Sequence, residues 1–76
     1  MATIVLAWCA SPRPVDHYSV YRNVQPEVAL HVTKGPNQLR TTVAYPTDQY
    51  HVIGYRHGHP IEWVESGPPD TLECPQ

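Results

Sequence analysis

The chain predicts an all-β fold, an antiparallel sandwich of about six to seven short strands, and three observations carry that expectation. Nine prolines, four glycines and scattered Asn and Asp interrupt every apolar run, so no stretch of helical length keeps a 3.6-residue period. The runs that remain are rich in Val, Ile, Thr, Tyr and Trp, the residues that suit a pleated, half-buried surface. They recur at close to ten-residue spacing with turn residues between them, the pattern of a sandwich or small barrel.

Each element has its own justification. Residues 3–9 alternate so that Ile4, Leu6 and Trp8 share one face and Val5, Ala7 and Cys9 the other, and Pro12 and Pro14 end the strand. Residues 17–22 set Tyr18 and Val20 against His17, Ser19 and Tyr21. Residues 27–33 and 38–44 contribute Val28, Leu30, Val32, Leu39 and Val43 to the expected core. Residues 50–56 place Tyr50, Val52 and Gly54 opposite His51, Ile53 and Tyr55; residues 61–65 follow, and residues 70–74 could add a short extended piece. One domain is expected over residues 1–66, with a Pro-rich extended tail over 67–76.

At 76 residues the core is thin, because a chain this short buries only about 60% of the surface its unfolded form exposes. A formal net charge of −2 supplies no basic patch, so nucleic acid is excluded as an expected partner. The apolar opening at residues 2–10 lacks a charged leader and is too short to span a bilayer, so neither export nor membrane insertion is expected. On that reading the chain is made in a cytosol, and Cys9 and Cys74, outside any C-x-x-C spacing, are expected as two free thiols.

Three motifs in order resemble the fibronectin type III domain, an immunoglobulin-like sandwich. Ile4-Val5-Leu6-Ala7-Trp8, followed by Ser11-Pro12-Arg13-Pro14, is similar to that family's second strand with its core tryptophan. Asp16-His17-Tyr18-Ser19-Val20-Tyr21-Arg22-Asn23 is similar to the third. Ala44-Tyr45-Pro46-Thr47-Asp48-Gln49-Tyr50-His51-Val52-Ile53-Gly54 has the spacing of the stretch that carries the tyrosine corner, which would make Trp8, Tyr18 and Tyr50 core anchors. Ala44, Asp48 and Gly54 depart from the family pattern. The resemblance covers residues 3–66 and leaves the family's first strand without a counterpart. An uncovered edge beside the Trp8 strand is therefore expected, to be filled by the tail or by a partner, with Val5, Ala7 and Cys9 lying against whatever covers it.

Residues that could carry chemistry are few. The three serines sit in no nucleophile context, and no phosphate-cradling loop or His-Glu-x-x-His occurs, so no enzyme and no cofactor are expected. Five histidines stand out; His17, His31 and His51 would share one sheet face if their strands are neighbours, a weak candidate metal site beside a more ordinary solvated face. Arg56-His57-Gly58-His59 reads as an exposed hairpin turn. Tyr21, Tyr55 and Trp63 form the amphipathic aromatic set used at protein interfaces and on sugar platforms.

The resulting expectation is a structural or adhesive module in a larger assembly. By analogy with small immunoglobulin-like virion proteins, its partners would be capsid or tail proteins of a bacterial virus, or further copies of itself. The location would then be the virion, with the cytoplasm as the alternative. The rival expectation is a soluble carbohydrate- or metal-binding module using the Tyr/His face.

Overall fold

The computed structural model describes residues 3–23, 28–44 and 49–74. Seven strands form two antiparallel sheets: β1 Ile4–Trp8, β2 His17–Arg22, β3 Ala29–Val32, β4 Arg40–Val43, β5 Tyr50–Arg56, β6 His59–Val64 and β7 Ser66–Gly67. One sheet has the order β4-β1-β7 and the other β3-β2-β5-β6. The chain is an all-β sandwich, and no helix occurs among the described residues.

Alternation decides which side chains meet between the sheets. Leu6 and Trp8 from β1, Tyr18 and Val20 from β2, Val43 from β4 and Val52 from β5 form the buried cluster, with Ile4, Val15, Leu39, Tyr50 and Val64 packed against it. Trp8 and Tyr18 meet with ring centroids 5.9 Å apart and planes tilted by 57°, a favoured aromatic geometry. The Tyr18 hydroxyl accepts a hydrogen bond from the Ser11 N–H at 2.9 Å, which gives the buried phenol its polar partner. Thr33 closes the start of β2: its hydroxyl accepts from the Tyr18 N–H at 2.9 Å and donates to the Gly35 carbonyl at 2.8 Å. Tyr50 packs on the core as expected, while positions 45–48 of the expected tyrosine corner lie outside the described residues.

The expected core membership of Val28, Leu30 and Val32 is corrected: all three are exposed. β3 is an edge strand, and its register places His31 opposite Val20 and Val32 opposite Ser19, with an irregularity between Val20 and Tyr21. A one-residue change of phase moves every side chain of a strand to the other face, and an edge strand with a bulge has little burial to resist it.

The edge beside β1 is closed by the chain itself. β7 pairs with it at Ala7↔Gly67 and Trp8↔Ser66, and the Cys9 N–H donates to the Glu65 carbonyl at 2.9 Å. Continuing that register would set Leu6 and Val5 against Pro68 and Pro69, which offer no N–H, so the pairing stops there. Residues 70–74 form no strand; the Thr71 and Leu72 N–H groups both bond to the Pro68 carbonyl, turning the tail.

The expected free thiols are also corrected. Cys9 and Cys74, 65 positions apart, are joined in a disulfide with Cα atoms 5.4 Å apart. Spacing along the chain gave no hint of this, because the turn at Pro68 is what brings Cys74 back onto β1. Ala7 and Cys9, expected to face a partner, are buried, with the returning tail tied to Cys9, and of that trio only Val5 remains exposed.

Candidate interaction face

The outer face of the four-stranded sheet carries three of the six expected interface residues, Tyr21, Tyr55 and Trp63. β2 and β5 pair with His17 opposite Tyr55, Ser19 opposite Ile53 and Tyr21 opposite His51, and β5 and β6 pair with Ile53 opposite Trp63. Directly opposed residues project to the same side, so these seven side chains share one surface.

Their rings are stacked. His17 and Tyr55 lie parallel within 5° at a centroid distance of 5.3 Å, Tyr21 and His51 within 17° at 5.2 Å, and His51 and Trp63 within 6° at 4.6 Å. Parallel rings this close cannot lie side by side in one plane. They overlap in an offset stack.

Tyr21 and Tyr55 start four residues apart along their strands, about 13 Å at 3.3 Å per residue, and lean together until their hydroxyls are 2.6 Å apart. Ser19 and Ile53 lie beneath that bridge at 4% and 8% exposure, although both belong to the outer face of the sheet. The hydrogen bond to Tyr21, then burial, push the Tyr55 phenol up to about 12. His51, 8% exposed, is held by its stacking neighbours and by a hydrogen bond from Nδ1 to the Asn23 side chain. The result is a small second core on the outside of the sheet, rimmed by Trp63 at 66% exposure and Val32 at 51%.

The histidines do not gather. His31 sits on the opposite side of the sheet from His17 and His51, in register with Val20, and its Nε2 lies 3.2 Å from the Gln38 amide nitrogen. No group of three His, Cys, Asp or Glu positioned to hold a metal ion occurs among the described residues. The Arg56-to-His59 segment is a two-residue hairpin with positive φ at His57 (52°) and Gly58 (78°), the backbone of a type I′ turn. It is anchored by the His57 N–H donating to the Asp16 carboxylate at 2.8 Å.

The surface has hollows elsewhere among the described residues. One of about 310 Å³ lies between Ile4, Leu6, Tyr50 and Pro68, and one of about 240 Å³ between Leu30, His31, Thr42 and Val43. Glu62 is engaged by Arg13 at 3.5 Å. Among the described residues no helix is long and apolar enough to cross a membrane.

Alternation puts Ser19 and Ile53 on this face as expected; their burial there is what the spacing did not disclose. The signal was present: residues 50–56 carry an apolar or aromatic side chain at every position except His51, Gly54 and Arg56, and such a run is buried on both faces. No protein-family model, curated protein or solved structure matches the chain.

Proposed function

We propose that the chain is a non-enzymatic structural or adhesive module that docks onto other protein subunits through the outer face of its four-stranded sheet. The observation that carries this reading is the rim of that face: Trp63 and Val32, both exposed apolar side chains, flank a preorganised stack of rings. Rigid aromatic anchors at the centre of a patch are what protein interfaces use to gain affinity at low entropic cost. His51, stacked between Tyr21 and Trp63, has no open ring face on which a sugar could lie.

The three-plus-four division of strands supports a fibronectin type III-like reading, with β7 in the third place of the β1 sheet. The disulfide supports residence outside a reducing cytosol, as in an assembled virion or at a cell surface. A virion decoration or tail component of a bacterial virus fits both, and it predicts capsid and tail genes beside the one that encodes this chain.

The test is surface labelling of Trp63 in material isolated intact from its source. Protection of Trp63 relative to the purified chain supports the reading, and equal labelling in a particle of monomer size contradicts it.

A further inference from the structure

The two tyrosine hydroxyls that meet across the outer face do more than seal Ser19 and Ile53. We propose that Tyr21 and Tyr55 are a site of oxidative cross-linking, joined by a carbon–carbon bond between their rings when the chain meets peroxide and a one-electron oxidant such as a peroxidase.

The hydroxyl contact brings the two reacting edges to one place, and the rings must still tilt toward each other for the carbons beside those oxygens to bond. In an ortho-coupled pair of phenols the two oxygens are neighbours, and here they already touch at 2.6 Å, on side chains that are half-buried and reachable from solvent. Each ring also stacks on a partner, His51 for Tyr21 and His17 for Tyr55, which keeps the two hydroxyls turned toward each other. Tyr18, by contrast, is buried, with its hydroxyl committed to the Ser11 N–H, and Tyr50 packs against the core. Of the described tyrosines, Tyr21 and Tyr55 are the ones brought together.

The step balances. Each phenol loses one electron and one proton and becomes a phenoxyl radical with spin density on the ring carbons ortho to oxygen. The two radicals couple through one such carbon from each ring. The hydrogens on those carbons then move to the oxygens as the rings regain aromaticity. Two electrons and two protons leave the protein and reduce one molecule of hydrogen peroxide to two of water. The product would staple β2 to β5 covalently, next to the disulfide that ties β1 to the tail, and it does not depend on the docking partner proposed above.

The experiment uses the disulfide-intact chain, dilute, with horseradish-type peroxidase and a limiting amount of hydrogen peroxide. The expected product is a monomer lighter by two hydrogen atoms, with the fluorescence of a biphenolic ring system. After reduction and digestion, the fragment holding Tyr21 should be linked to the fragment holding Tyr55. Tyr21→Phe and Tyr55→Phe should each abolish the intramolecular product while leaving the circular dichroism spectrum unchanged. Peptide mapping of the unmutated chain decides the matter even if a variant misfolds. Products confined to intermolecular dimers or to oxidised Trp63, or an intramolecular link that joins other tyrosines, would overturn the proposal.

Discussion

At the level of single residues, the outer face works through contacts that the side chains make with one another. The Tyr55 phenol shares its proton with Tyr21 in a partly desolvated bridge, and both effects favour the neutral form. One tyrosine should therefore titrate near pH 12 when absorbance is followed at alkaline pH, and Tyr21→Phe should move that transition back toward the ordinary value of about 10. The sign of the linked stability follows. A phenol held protonated in the folded chain contributes fully below pH 10, and the contribution is lost as pH rises through 12, so stability should fall across that window and fall less in the variant. Trp63 tests the other property of the face. At 66% exposure its removal opens no cavity in the core, so Trp63→Ala should change folding stability by less than about 1 kcal/mol in a denaturant titration while abolishing association with the docking partner proposed above.

Among the elements, the strands most legible in the sequence are those whose alternation has a reason to persist. β1, β2 and β5 each bury one face against the opposite sheet, and Leu6, Trp8, Tyr18, Val20 and Val52 are found inward as their spacing implied. β3 was legible as a strand and illegible in phase, because Val28, Leu30 and Val32 are as apolar as core residues and nothing local says that the strand lies at an edge. The closing of the β1 edge was half legible. Either residues 70–74 of the tail or a partner is the expected filler, and the pairing falls instead at Ser66–Gly67, ahead of Pro68 and Pro69, where backbone N–H groups are still available. Gly54 illustrates how tightly β5 is packed. A Cβ there would sit 2.8 Å from Val15 Cγ1 and against the Tyr18 ring, so Gly54→Ala should cost about 1–3 kcal/mol in chemical unfolding. Replacing both members of the Cys9–Cys74 bridge by serine frees a loop of 65 positions and should cost about 4 kcal/mol by the chain-entropy relation, visible as a lower Tm without loss of the strand spectrum at low temperature.

Taken whole, the molecule solves the stability problem of a short chain with two devices the sequence only partly disclosed. The sandwich itself was legible, since strand-forming runs at ten-residue spacing with Pro and Gly between them leave few other folds. The disulfide and the outer-face ring stack were not, because each joins residues that are distant along the chain and becomes visible only once register is known. Both belong to the account of the molecule as a part of something larger. The bridge supports life outside a reducing compartment, and the stack presents an ordered surface with an exposed apolar rim. The most direct measurement of that claim is oxidative or alkylative labelling of Trp63, read by mass spectrometry, in the natively assembled material and in the purified chain side by side. For a docked module the assembled form is larger than a monomer and its Trp63 is strongly protected. A monomer from the native source whose Trp63 labels as fast as that of the purified chain would contradict it.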